Sequence, residues 1–311
     1  MQGICGNHFV LTHQRESSTI RPDLKKFPAL QTVTQEARTG EGQSQRGEHF
    51  SSGNNRTAHQ KAQTMKIIFL GTNGWYDTKT GNTLSVLIAT KEYNIVLDAG
   101  TGFAKLDRVL SNSNPIFLFL SHFHLDHLIG LHTLFKFSFS QKLTISGPRG
   151  TEKVLRALLK QPFTAPLDHL SYKTEILELP AGQGQLPFQV EGLDLVHPPL
   201  SMGYRFQLEG KVIAYCPDTG YCENAVTLAK GTDLLISECS FLPGESSVEW
   251  PHLNPQFAAR IAKEAGAGQL ALVHFDAAKY TTIELRKEAE TEARKIFPKT
   301  FACEDDMIME L

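Results

Sequence analysis

Residues 117–130 read Phe-Leu-Phe-Leu-Ser-His-Phe-His-Leu-Asp-His-Leu-Ile-Gly, and no other stretch constrains the chain so strongly. Pro115–Leu120 is an unbroken apolar run of strand length, as expected of a strand buried on both faces. That strand delivers the chain to a polar loop holding His122, His124, Asp126 and His127 within six residues. Imidazole nitrogens and carboxylate oxygens are first-choice ligands for zinc-like cations. The His-x-His-x-Asp-His spacing lets two neighbouring metals be served. His122 and His124 project to one side of the extended loop, and Asp126 and His127 turn to the other as a helix begins.

Around this segment strands and helices alternate, which indicates a mixed α/β domain. Lys66–Leu70, Thr83–Ala89, Asn94–Asp98, Lys142–Ser146, Thr174–Leu179, Phe188–His197, Gly203–Leu208, Val212–Cys216, Leu234–Glu238 and Gln269–His274 read as further strands. Helical spacing falls on 103–110, 128–137, 151–160 (with Thr151 as N-cap), 224–230, 255–265 and 283–297.

Residues 1–64 differ from the rest. They are rich in Gln, Ser, Thr, Gly, Arg and His and lack an apolar period, so a disordered extension or an upstream start is expected, with one domain over 65–311. The extension carries eight basic and five acidic residues, which leaves the domain with 23 basic against 28 acidic. A net-acidic domain disfavours a tight grip on a phosphate backbone. The five cysteines form no framework, and Cys216 and Cys222 have no zinc-ribbon spacing, so a reducing, cytoplasmic setting is expected. No apolar run reaches the length of a membrane span.

Two adjacent metals need more donors, and strand ends offer them: His197, Asp218 in Cys216-Pro-Asp-Thr-Gly220, and His274. With these residues the sequence resembles the metallo-β-lactamase superfamily over essentially all of 65–311. The resemblance implies a four-layer αββα sandwich with a dinuclear site at one edge. It also implies that His122, His124 and His197 hold one cation, that Asp126, His127 and His274 hold the other, and that Asp218 bridges them. Two divalent ions are expected, zinc first, with manganese or iron compatible with the same donors.

The context around His197, with Gly203-Tyr-Arg205 following, resembles the phosphodiesterase branch that includes ribonuclease Z. So do Phe69-Leu-Gly-Thr72, Leu97-Asp-Ala-Gly100, Ile236-Ser-Glu238 and His274-Phe275. The chain departs from ribonuclease Z in reading His252-Leu-Asn254 where that enzyme has His-Ser-Thr, and in lacking an evident basic tRNA-gripping arm between His127 and His197. The expected activity is therefore hydrolysis of a small-molecule or nucleotide phosphodiester by hydroxide shared between two cations about 3.5–4 Å apart. RNA, as in tRNA 3′-processing, is the alternative substrate. A small ester, lactone or thioester hydrolase, or a non-catalytic metal-binding member, are the further alternatives. Asp126 is expected to hold metal and orient the hydroxide. His252, supported by Glu238, is expected to stabilise the transition state or protonate the leaving oxygen, the competing role for the pair being a structural ion pair. Asp98 is expected to support loops through hydrogen bonds. The resemblance is also compatible with a homodimer.

Overall fold

The computed structural model describes residues 64–311, so the expected extension lies outside the described residues except for Thr64. The first strands are β1 (Lys66–Gly71), β2 (Asn73–Gly74), β3 (Ser85–Ala89), β4 (Asn94–Leu97), β5 (Ile116–Phe119), β6 (Leu143–Pro148) and β7 (Thr174–Leu179). They are followed by β8 (Gln189–Leu195), β9 (Ser201–Leu208), β10 (Lys211–Cys216), β11 (Leu234–Glu238), β12 (Leu270–Val273), β13 (Phe275–Asp276), β14 (Thr300–Ala302) and β15 (Ile308–Glu310). The α-helices are α1 (Leu106–Val109), α2 (Leu125–Leu128), α3 (Thr151–Leu158), α4 (Glu223–Ala229), α5 (Pro255–Ala265) and α6 (Ile283–Arg294).

Two large sheets form, ordered β15-β1-β3-β4-β5-β6-β7 and β14-β12-β11-β10-β9-β8. Side-chain alternation explains how they stack. Ile67, Phe69, Ile95, Leu97, Phe117 and Phe119 face Tyr204, Phe206, Ile213, Tyr215, Ile236 and Val273 in one core between the sheets. The intervening Ile68, Leu70, Val96, Leu118 and Leu120 pack outward against Phe103, Leu106, Leu131, Leu134 and Leu155. On the second sheet Leu235, Leu270 and Leu272 pack against Ala225, Leu228, Ala258, Ile261 and Ala289 of α4, α5 and α6. Both faces of each sheet are thus covered, which is why the strands are near-continuously apolar. The result is the expected four-layer αββα sandwich.

Several local expectations change. Residues 103–110 form a 3₁₀ turn, Thr101–Lys105, running into α1, and α2 passes into a second 3₁₀ stretch, Ile129–Lys136. These stretches are backbone-tight: a Cβ on Gly130 would lie 2.0 Å from the Gly100 carbonyl oxygen. Thr151 does not cap α3. Gly150, left-handed at φ 96°, takes that place, and Thr151 Oγ1 donates to the Pro148 carbonyl at 2.6 Å. β8 ends at Leu195, so His197 stands in the following loop. Strands β2, β13, β14 and β15 were not expected, since two or three residues are too few to display a period. β15 and β14 nevertheless extend the two sheets by pairing with β1 and β12. Among the described residues no helix is long and apolar enough to cross a membrane.

β4, β5 and β6 are parallel, as are β10, β11 and β12, so the carboxyl ends of each set lie at one edge. Polar residues that no strand could bury gather there. Phe119 sits in the middle of the core, its ring 5.2 Å from Tyr204 and 4.9 Å from Phe206. Phe119→Ala is expected to lower unfolding free energy by about 3–5 kcal/mol, read from urea denaturation midpoints.

Candidate metal centre

The polar edge assembles residues from both sheets. β5 ends at Phe119, one residue before Ser121 and His122, α2 carries Asp126 and His127, and Asp218 follows β10. His274 follows β12 with a left-handed backbone, φ 54°, a strained conformation for histidine. Gly74 makes room for it: a Cβ there would lie 2.6 Å from the His274 ring. His122, His127, His197, Asp218 and His274 are buried, and His124 and Asp126 are half-buried.

The donors fall into two groups around Asp218. Ring nitrogens of His122, His124 and His197 and a carboxylate oxygen of Asp218 all lie within 4.8 Å of one another, as do donors of Asp126, His127 and His274. Asp218 Oδ2 is 3.8 Å from Nε2 of both His122 and His197. Its Oδ1 is 3.2 Å from Nε2 of both His127 and His274. Asp126 Oδ2 completes the second group, 3.3 Å from His274 Nε2 and 3.6 Å from His127 Nε2.

The Nδ1 atoms are held elsewhere, which aims the Nε2 atoms inward. His122 Nδ1 meets Ser121 Oγ at 2.9 Å, His127 Nδ1 meets Asp98 Oδ2 at 2.7 Å, and His274 Nδ1 meets Ser240 Oγ at 2.9 Å. His197 Nδ1 donates to the Pro199 carbonyl at 3.1 Å. Asp98, at φ 54°, also accepts from Ser121 N, Ser121 Oγ and Tyr215 Oη. Sequence reasoning did not single out Ser121, Ser240 or Tyr215. The only available signal was their closeness in the chain to ligand-bearing strand ends, which any core or turn residue shares.

Burial opposes ionisation of Asp218, but the imidazoles of His274, His127 and His122 hold its carboxyl well below the usual range. Asp126 is lowered by His127 and His274 against the same burial. Burial keeps His122, His124 and His197 below the ordinary imidazole value, the neutral state that ligation requires. His127 and His274 are raised, because the neighbouring carboxylates, Asp218 foremost, outweigh burial.

These residues fit a metal. His122 Nε2 and Asp218 Oδ1 are buried and have no hydrogen-bond partner, although imidazole nitrogens crowd Oδ1 at 3.2 Å. These two atoms face the cluster with their hydrogen-bonding capacity unmet, which is costly unless a cation lies there.

Beside the two groups, His252 Nδ1 bonds Glu238 Oε1 at 2.8 Å. A His252 ring nitrogen also lies within 4.8 Å of donors of Asp218 and His274. Glu238 is fully buried and also accepts from Thr219 N at 2.6 Å and Ser240 N at 3.2 Å. It therefore ties together the loops behind Asp218 and the Ser240 that steadies His274.

A sequence profile of the β-lactamase superfamily domain matches residues 93–275. The chain is 26% identical over 294 residues to a ribonuclease Z of Metallosphaera sedula, covering 78% of this chain and 97% of that protein. It is 28% identical over 232 residues to the Bacillus subtilis protein named "Probable metallo-hydrolase YhfI", covering 73% and 93%. The crystal structure of YhfI superposes with a TM-score of 0.65 at 24% identity, covering 79% of this chain and 99% of that one. Human tRNase Z, short form, has a TM-score of 0.61 at 23% identity, covering 79% and 98%; at these identities the two superpositions bear on the fold.

Gly74→Ala is expected to displace the His274 ring and lower metal affinity about 10–100-fold with little loss of stability, read by competition with a chromogenic chelator alongside thermal melting.

Proposed function

The chain belongs to the metallo-β-lactamase superfamily, and we propose that it is a dinuclear metal-dependent hydrolase of phosphodiester bonds. The observation that carries this reading is Asp218, a buried carboxylate whose two oxygens face two separate groups of imidazoles. Relatives named ribonuclease Z, matched over nearly their whole length, support the phosphodiester as the bond attacked.

His122, His124 and His197 would hold one cation, Asp126, His127 and His274 the other, with Asp218 shared. The all-nitrogen-and-oxygen donor set favours zinc and accepts manganese or iron. When bound, two such cations lower the pKa of a shared water toward about 7 and neutralise charge on the phosphoryl oxygens.

The chain's own groups supply the rest. Asp126, ionised at neutral pH and fixed by Trp75 N–H at 2.8 Å, can accept a hydrogen bond from the attacking water and orient it. His252 is the candidate proton donor. Burial opposes its charge, but Glu238 carries its pKa up to about 9. The ring then holds both protons at neutral pH, and with Nδ1 bound to Glu238 its Nε2 can protonate the leaving oxygen. Glu238 does not itself face the substrate; it positions His252 and the Asp218 loop. Processing of tRNA 3′ ends is a second reading, favoured by the ribonuclease Z relatives matched end to end.

Metal analysis is expected to find two equivalents of zinc per chain, and fewer than one would overturn the dinuclear assignment. His252→Ala is expected to slow a diester with an unactivated alcohol leaving group about 100-fold or more. For a p-nitrophenolate leaving group, which departs unprotonated, the loss should stay under about tenfold. Equal losses would remove the proton-donor role. In a panel of bis-p-nitrophenyl phosphate, cyclic nucleotides, a pre-tRNA, a lactone and a thioester, turnover of the thioester alone would overturn the phosphodiesterase reading.

A further inference from the structure

Eleven large apolar side chains are exposed among the described residues, and six of them stand beside the metal-ligand loops. Trp75 and Tyr76 follow Gly74, the residue packed on the His274 ring. Leu125 lies between His124 and Asp126, Val196 precedes His197, Leu200 follows the Pro199 whose carbonyl steadies His197, and Trp250 is two residues from His252. Two residues of chain span at most about 7 Å. The loops also meet one another: a Cβ on Gly220, two residues past Asp218, would lie 2.9 Å from Pro251 and 3.8 Å from Val196.

The exposure is substantial, 67% for Trp75, 59% for Trp250, 61% for Leu125 and 64% for Leu200. These are the chain's only two tryptophans. Trp75 is held outward by a left-handed backbone, φ 72°, while its N–H serves Asp126. Its indole stands edge-to-face with Tyr76, centroids 5.1 Å apart. A cluster of this kind around a reactive centre marks a binding surface.

Charge narrows what binds there. Segments 73–78, 121–127, 195–202, 217–222, 240–254 and 274–277 contain no Lys or Arg, and they carry Asp77, Asp126, Asp218, Glu245, Glu249 and Asp276. Of the nearest cations along the chain, Lys79 and Lys279, the latter is bound to Glu245 at 2.8 Å. Exposed Arg149 neighbours Gly150, which packs beside Phe123. One guanidinium suits one phosphate, whereas a nucleic-acid backbone is gripped by several cations.

Resting on the phosphodiesterase reading, we infer that Trp75, Tyr76 and Trp250 form an aromatic rim that selects small phosphodiesters bearing a planar aromatic substituent, an aryl group or a single nucleobase. The substituent stacks on the rim while the phosphate sits over the metal ligands, and the acidic surroundings turn away polyanions.

The test uses the zinc-loaded full chain and two esters with the same leaving group, bis-p-nitrophenyl phosphate and methyl p-nitrophenyl phosphate. Calorimetric binding of diphenyl phosphate and dimethyl phosphate accompanies it. The wild type is expected to favour the aromatic member of each pair by about tenfold or more. Trp250→Ala is expected to bring both ratios toward one. Trp75→Asn, whose side chain tolerates the left-handed backbone, is expected to do the same. Turnover of both esters with no aromatic preference in either assay would overturn the rim and leave the phosphodiesterase reading standing. Preference for diphenyl phosphate without turnover of either ester would support the rim and overturn the phosphodiesterase reading. A pre-tRNA that binds more tightly than diphenyl phosphate, and weakens steeply with salt, would overturn the rim.

Discussion

Four donors converge on the buried carboxylate of Asp98, and the geometry of the polar edge depends on that convergence. Ser121 N and Oγ come from the end of β5, His127 from α2, and Tyr215 from β10 of the opposite sheet. Hydrogen bonds to a charged acceptor contribute about 1.5–3 kcal/mol each, more than neutral ones, and a fully buried carboxylate cannot forgo them. Asp98 thus fixes three things together: where the His122 loop leaves its strand, which way the His127 ring faces, and how the second sheet registers against the first at this edge. Its own left-handed backbone is the local cost of that placement.

Asp218 is the opposite case. It is as deeply buried, yet Oδ1 has no hydrogen-bond partner, and its neighbours are ring nitrogens aimed at the same space. Where Asp98 is satisfied by protein, Asp218 is not, which is what the proposed bridging role calls for. A ligand set of this kind couples metal binding to stability, since a cation bound only by the native state stabilises it in proportion to its binding free energy. One ligand motif lies on the first sheet, and four further groups, His197, Asp218, His252 and His274, follow separate strands of the second. A cation held by the proposed ligands, the motif of the first sheet together with His197, Asp218 and His274 of the second, would therefore also cross-link the sheets.

The sequence disclosed these parts unevenly, for physical reasons. The β5 run was legible because a strand buried on both faces must be apolar throughout. The His122–His127 motif was legible because three imidazoles and a carboxylate within six residues after a buried strand are far more expected of a metal site than of a polar loop or of satisfied histidines. Asp218 and His274 could be proposed because they close strands, although each alone resembles an ordinary turn residue. The 3₁₀ stretches beside Gly100 and Gly130 were read as α-helix because apolar spacing is similar in both, and only backbone contact distinguishes them. Ser121 and Ser240 were hidden because orienting a ring requires a place in space, not a pattern in the chain.

The apolar rim was equally invisible in composition, because two tryptophans in 311 residues are unremarkable until both are found exposed at one edge. Its position follows from how the fold divides its labour. Ligands must sit where strand ends hold the backbone rigid, since small displacements forfeit coordination. The connectors just beyond those ends bear no such demand, so side chains there are free to face the solvent. Apolar side chains accordingly flank the site's polar residues along these connectors, Val196 and Leu200 on either side of His197 and Trp250 two residues before His252. A substitution in such a flanking position changes what is held without disturbing what holds the metal, so selectivity can vary on a fixed reactive centre.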